Sequence, residues 1–111
     1  MSTKIGNQAE DAAAAFLQEK GYKIVDRNWR TRVCEIDVIA KKNHTIFFIE
    51  VKYRSSQRQG GGLDYITPKK LQQMSFAAEN WVQEHAYSGD YQLSAIAVSR
   101  DFIVTDHIVD L

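Results

Sequence analysis

The spacing of apolar and polar residues changes along the chain and divides it into seven predicted elements. Helical spacing extends from Gln8 to Lys20, and it recurs after Thr67 and Pro68, a pair typical of the start of a helix. The other segments are rich in Val, Ile, Phe and Tyr, as strands are, and they cover residues 22–29, 33–41, 45–54, 91–98 and 102–109. The order of helix, three strands, helix and two strands predicts an α/β fold with a mixed central sheet flanked by helices.

The length and composition bound the class of protein. A chain of 111 residues, 44% of them hydrophobic, buries one core and hardly two, so we expect residues 1–111 to form a single domain. No run approaches the roughly 20 apolar residues that span a bilayer, and the N-terminus lacks a signal-peptide pattern. A single cysteine, Cys34, cannot form an internal disulfide. These features predict a cytoplasmic protein with no membrane association.

Two ionisable residues interrupt the apolar segment FFIEVKYR, residues 47–54. Glu50 and Lys52 lie in a predicted strand interior, where an ionised group is costly unless it is paired or coordinated. Residues 42–44 form a predicted hairpin turn before this strand. Pairing across that turn places Asp37 of the preceding strand beside Glu50.

The alternation of side chains along the second strand gives a further expectation. It sets Glu35, Asp37 and Ile39 on one face of the sheet and residues such as Ile36 and Val38 on the other. We therefore expect the predicted neighbours, one aspartate, one glutamate and one lysine, to meet on a single face.

Adjacent carboxylates such as those of Asp37 and Glu50 repel each other unless a cation lies between them. A few hard oxygen ligands suit Mg²⁺ or Mn²⁺, and such a metal with Lys52 nearby suits phosphodiester hydrolysis. The alternative is a salt bridge from Lys52 to Glu50 or Asp37 with no metal. Glu10 lies on the apolar stripe of the first helix, where it either joins the metal site or interacts with the helix dipole.

Charge is unevenly distributed, although the net charge is zero. Basic and acidic side chains number three and four in residues 1–26, ten and four in residues 27–70, and one and six in residues 71–111, which gives sums of −1, +6 and −5. The basic middle is either an ordinary solvated surface or a surface that contacts phosphates. On the second interpretation, the nucleic-acid-binding residues are Arg30, Arg32, Arg54, Arg58, Lys69 and Lys70.

Four segments, taken in order, resemble a known family. IGNQAEDAAAAFLQEKGYKIVDRNWR, CEIDVIA, FFIEVKYR and ITPKKLQQM resemble the small bacterial YraN-like family of the restriction-endonuclease-like superfamily, which is similar to Holliday junction resolvases. The resemblance implies that fold, and it implies that Asp37, Glu50 and Lys52 correspond to the Asp…Glu-x-Lys nuclease core. It also matches Glu10 to an acid of the N-terminal helix and Lys70 to a basic residue of the second helix.

These observations predict a function in two forms. The first is an endonuclease that depends on Mg²⁺ or Mn²⁺ and acts on DNA, with branched or damaged DNA among the candidate substrates. The second is a non-catalytic nucleic-acid-binding module that retains a nuclease fold. A homodimer is left open. The polar, glycine-rich residues 55–65 are predicted to form a mobile loop beside the site.

Overall fold

The elements follow the predicted order. The computed structural model describes residues 3–54 and 66–111. In these residues the elements are α1 (Thr3–Glu19), β1 (Lys23–Arg30), β2 (Glu35–Lys42), β3 (Thr45–Arg54), α2 (Pro68–Glu84), β4 (Asp90–Ser99) and β5 (Val104–Ile108). The predicted mixed α/β class is confirmed. Neither described helix is long and apolar enough to cross a membrane.

The five strands form one sheet in the order β1-β2-β3-β4-β5. Neighbouring strands are antiparallel except for β3 and β4, which are parallel. A parallel pair needs a crossover connection, and α2 lies in the segment that connects these two strands. The sheet is therefore mixed, as predicted.

The two helices cover different parts of the apolar core. Ala13 and Leu17 of α1 pack with Ile49 of β3 in one buried cluster. Met74 of α2 packs with Phe48 of β3 in a second cluster. Because Phe48 and Ile49 are adjacent strand residues that point to opposite faces, one helix lies on each side of the sheet.

The hairpin between β2 and β3 fixes the register of these strands. Asn43 and His44 have φ values of 52° and 70°, as in the two-residue turns that match the twist of a β-hairpin. The ladder pairs Lys42 with Thr45 at the turn, so the register is the one predicted from the sequence. Continued along the strands, it leads to Asp37 and Glu50.

The start of β2 is later than predicted. Thr31 and Cys34 close a turn in which the Thr31 N–H donates to the Cys34 carbonyl at 2.8 Å and the Cys34 N–H donates to Thr31 Oγ1 at 3.1 Å. Val33 lies inside this turn and is exposed, so the strand begins at Glu35. Side-chain hydrogen bonding to the backbone outweighs the strand propensity of valine here.

The last strand is shorter than predicted. Ser99 donates its backbone N–H to the carbonyl of Ile103 at 2.9 Å, and Phe102 has a φ of 59°. These contacts extend the turn, so β5 begins at Val104.

The predicted alternation along β2 is wrong at its centre. Ile36 packs in the cluster with α2, whereas Val38, two residues later, packs in the cluster with α1. Ile39 returns to the α2 cluster. Regular alternation would put Ile36 and Val38 on one face. The side chains of the strand therefore change sides of the sheet between these two residues, at Asp37.

Candidate functional site

Asp37 lies where β2 and β3 stop pairing. The last residue pair of their ladder is Val38 with Ile49. One residue further, Asp37 Oδ2 accepts a hydrogen bond from the backbone N–H of Val51 at 2.7 Å. The side chain therefore replaces a strand–strand hydrogen bond and comes to lie beside Glu50, the residue that precedes Val51.

The carboxylates of Asp37 and Glu50 interact directly. Burial, the charge of Glu50 and a hydrogen bond to Glu50 together raise the pKa of Asp37 to about 8, against the opposing effect of the Val51 N–H. Two carboxyl groups this close, one buried and one half-buried, share a proton unless a cation takes its place. The pair therefore has the character of a cation site.

A third and a fourth acid reach Asp37 from its other side. Carboxylate oxygens of Glu10, Glu35 and Asp37 all lie within 4.8 Å of one another. Two oxygens bound to one Mg²⁺ lie at most about 4.2 Å apart, so small side-chain rotations would let the three share one ion. We call Glu10, Glu35, Asp37 and Glu50 the acidic cluster.

The position of Glu10 argues against one of its two predicted roles, the interaction with the helix dipole. The helix α1 begins at Thr3 and not at Gln8, and Gly6 near its start is buried. Glu10 therefore lies beyond the first turn, where the helix dipole has little effect. Glu10 is also buried, so the dipole does not explain an acid at this position.

Glu35 belongs to the acidic cluster, although the sequence analysis did not select it as a ligand. The available signal was its position two residues before Asp37 on the same strand. The sequence predicted Glu10 as a candidate for the metal site, but no pattern in it indicated that α1 would bring Glu10 next to Glu35.

Two residues of β1 orient these acids. Asn28 Nδ2 donates to Glu10 Oε1 at 2.8 Å and to Glu35 Oε1 at 3.3 Å. Asn28 has a φ of 56°, a conformation that asparagine tolerates better than most residues. Arg30 donates to Glu35 Oε2 through Nε at 3.1 Å and through Nη2 at 2.6 Å. These contacts fix both carboxylates on the side of Asp37.

Two lysines balance the charge of Glu50. Lys52 Nζ lies 3.3 Å from Glu50 Oε2, and Lys70 Nζ lies 3.5 Å from the same oxygen. Burial lowers the pKa of Lys70, but the Glu50 charge, helped by Cys34 and Asp37, outweighs burial and leaves that pKa raised. The salt bridge predicted as the alternative for Lys52 is therefore present. Lys70, predicted to contact phosphate, lies at the acidic cluster.

The other predicted nucleic-acid-binding residues fall into three groups. Arg30, Arg32 and Lys69 are exposed. Arg54 is only 8% exposed at the end of β3, a position that does not fit an exposed phosphate-binding surface, and its contact with DNA stays a prediction. Arg58 and the predicted loop of residues 55–65 lie outside the described residues.

Comparison with known proteins identifies the family. The model of the uncharacterised protein family UPF0102 matches residues 9–103. The chain belongs to this family. All four acids of the acidic cluster fall within the part that matches UPF0102, as do the two lysines at Glu50. The YraN-like resemblance seen in the sequence is confirmed, and the restriction-endonuclease-like superfamily is consistent with it.

Several UPF0102 proteins are similar to the chain over most of its length. One from Desulforapulum autotrophicum is 43% identical over 81 residues, which are 73% of this chain and 67% of the relative. One from Shewanella loihica is 38% identical over 98 residues, 88% of this chain and 86% of the relative. One from Cytophaga hutchinsonii is 35% identical over 106 residues, 96% of this chain and 93% of the relative.

Proposed function

We propose that the chain is a nuclease that depends on a divalent metal and hydrolyses phosphodiester bonds of DNA in the cytoplasm. The observation that supports this most is the position of Asp37, whose half-buried carboxyl group lies beside those of Glu50, Glu10 and Glu35. Acidic groups held this close together fit a cation better than they fit each other.

The donor set favours Mg²⁺ or Mn²⁺. All four members of the acidic cluster offer carboxylate oxygens, the ligands that both ions prefer. Asp37 and Glu50 would hold the ion of the predicted core, and Glu10 and Glu35 would complete its surroundings. When bound, such an ion supplies Lewis-acid polarisation of a phosphate and activation of the attacking water.

The lysines provide positive charge beside the carboxylates. Lys52 projects from β3 and retains 28% of its side-chain exposure, so its ammonium borders both the buried Glu50 and the solvent from which a substrate approaches. In the proposed reaction it stabilises the negative charge that develops on the phosphate. Lys70 adds a second positive charge beside Glu50 from the side of α2.

The alternative is a DNA-binding module without catalysis. It is favoured by the two lysines at Glu50 and by the raised pKa of Asp37, since these already balance much of the charge without a metal. A protein that used its nuclease fold only to bind DNA would keep these acidic charges balanced by the lysines and the proton, without a metal.

Metal titration and a cleavage panel separate the two functions. Binding of Mn²⁺ is measured by calorimetry, and cleavage is assayed with Mg²⁺ or Mn²⁺ on duplex, flapped, branched and single-stranded DNA. We expect cleavage of at least one substrate and its loss in Asp37→Asn. The control is Glu79→Gln, which changes an exposed acid of α2 outside the acidic cluster. Retained DNA binding with no cleavage on any substrate would favour the binding module.

A further inference from the structure

A groove with a volume of about 590 Å³ opens between the end of β1 and α2. Two aromatic rings, two guanidinium groups and two side-chain amides line it: Trp29, Arg30, Arg32, Phe76, Asn80 and Gln83. Trp29 is half-buried, and Phe76 is 43% exposed. Arg30 connects this groove to the acidic cluster, because the same guanidinium donates to Glu35.

We propose that the groove binds unpaired nucleotides of a DNA strand whose scissile phosphate lies at the acidic cluster. The proposal rests on the nuclease function proposed above and specifies its substrate as DNA with a single-stranded segment beside the cut. Rings such as Trp29 and Phe76 stack on any base, because every base has a flat face. Amides such as those of Asn80 and Gln83 hydrogen-bond to the exposed edges of bases.

The size of the groove favours single nucleotides over a duplex. A volume of about 590 Å³ is that of a site for a small organic ligand, which covers roughly 300–1,000 Å³. Recognition of a duplex buries roughly 1,000 Å² or more of protein surface and uses a broad face. An open groove of this volume, lined by rings and amides, therefore suits one or two splayed bases.

The groove carries two exposed cations, and one of them also contacts the acidic cluster. The Arg30 side chain is 76% exposed although it binds Glu35 at 2.6 Å, so most of its guanidinium faces solvent and suits a phosphate oxygen. Arg32, two residues later, is also exposed and adds a second cation. Arg30 and Arg32 therefore offer two cations to the phosphates of a strand that occupies the groove.

One groove residue carries the opposite charge. Glu84 also lines the groove, and it is the last residue of α2. A carboxylate there would repel a phosphate backbone and attract a cationic protein segment. Glu84→Gln should therefore tighten the binding of DNA and would weaken the binding of a basic partner.

The emission of Trp29 provides the test. A short oligothymidylate is added to the full-length protein without divalent metal, and tryptophan fluorescence is recorded with a duplex of equal length as comparison. We expect the oligothymidylate to quench the emission. Trp29→Phe should remove the change but keep binding, since Trp81 is buried and phenylalanine retains a flat face. Phe76→Ala with Asn80→Ala should weaken binding by about tenfold or more.

Ile103→Ala is the matched control, because Ile103 is 63% exposed and lies outside the groove. It should leave the affinity unchanged. If the oligothymidylate binds without changing Trp29 emission, and the Phe76 and Asn80 variant binds as wild type does, the groove proposal is wrong and the nuclease proposal stands. Quenching without cleavage of any substrate would support nucleotide binding in the groove and contradict the proposed nuclease activity. A dimer that dissociates in Phe76→Ala would assign the groove to a second copy instead.

Discussion

The backbone N–H of Val51 donates to the carboxylate of Asp37 at 2.7 Å, across the point where β2 and β3 separate. The contact holds Asp37 beside Glu50, because Val51 is the next residue of the same strand. A peptide N–H that would otherwise pair with a carbonyl pairs with a side-chain carboxyl group, and the fold brings two acidic groups together. The hydrogen-bonding pattern of the sheet thus creates the feature on which the proposed chemistry depends.

The stability of the metal-free protein should fall as the pH rises. The pKa of Asp37 is raised from an ordinary value of 3.8 to about 8, so between these values the folded state holds a proton that the unfolded state releases. The free energy of unfolding therefore decreases from about pH 4 and levels off above about pH 8. Thermal unfolding in chelator from pH 5 to pH 9 measures this.

Asp37→Asn should remove this pH dependence. The amide oxygen can still accept from the Val51 N–H, and the amide nitrogen can donate to Glu50 without a negative charge. We expect the melting temperature at pH 8 to rise by about 4 °C or more, which corresponds to about 1 kcal/mol for a domain of this size. Parallel pH profiles for the two proteins would contradict the charge coupling.

The acids on the α1 side should contribute to metal binding. Glu10→Gln and Glu35→Gln preserve the size of each side chain but remove a charged oxygen next to Asp37. Each should lower the Mn²⁺ affinity by at least about tenfold, the loss usual for residues close to a metal. Calorimetric titration measures it, with Glu79→Gln as control. An unchanged affinity in both variants would restrict the metal site to Asp37 and Glu50.

Some features of the candidate site could be predicted from the sequence and others could not. The hairpin turn at Asn43 and His44 fixes the β2–β3 register, and that local signal suffices to place Asp37 next to Glu50. The change of side-chain direction in β2 could not be predicted, because it lies beyond Val38, where β2 no longer pairs with β3 and stays paired with β1 alone.

Two further features depend on contacts that are distant in sequence. Glu35 joins the acidic cluster only because α1 packs over β2 and carries Glu10 to it. Arg54 looked like a surface cation in a basic segment, but it is buried at the end of β3. Net charge along a sequence does not reveal which cations face the interior.

Lys52 and Lys70 should stabilise the protein in a coupled manner. Both ammonium groups lie within 3.5 Å of Glu50 Oε2, so either lysine alone can still balance that carboxylate. Lys52→Met and Lys70→Met should each cost about 1 kcal/mol, and the double variant should exceed their sum by about 1 kcal/mol or more. A double-mutant cycle, with the free energies of unfolding measured in urea at pH 8, tests this coupling. Strict additivity would mean that the two lysines do not share Glu50.

Asn28 should affect metal binding through Glu10 and Glu35. Its amide is a common donor to both, so Asn28→Gly and Asn28→Ala should each lower Mn²⁺ affinity by about tenfold. They should differ in stability, because alanine at a φ of 56° is strained and glycine is not, by about 1 kcal/mol.

Asn43→Gly serves as control for the Asn28 variants. Asn43 has a similar φ of 52° and lies in the hairpin turn outside the acidic cluster. It should leave the Mn²⁺ affinity unchanged. If Asn28→Gly also left it unchanged, Asn28 would have only a structural role in β1.

The exposed cations beside the site should determine the salt dependence of DNA binding. Arg32 and Lys69 are both exposed, and each phosphate contact releases counterions and adds about one unit to the slope of log affinity against log salt. Replacing both with alanine should weaken binding to every DNA sequence and reduce that slope by about two units. Fluorescence anisotropy across a salt series measures the slope. Arg100→Ala, an exposed cation in the β4–β5 turn, should change it little. A slope that fell in the control and not in the double variant would place the DNA nearer the β4–β5 edge of the sheet than the β1–β2 edge.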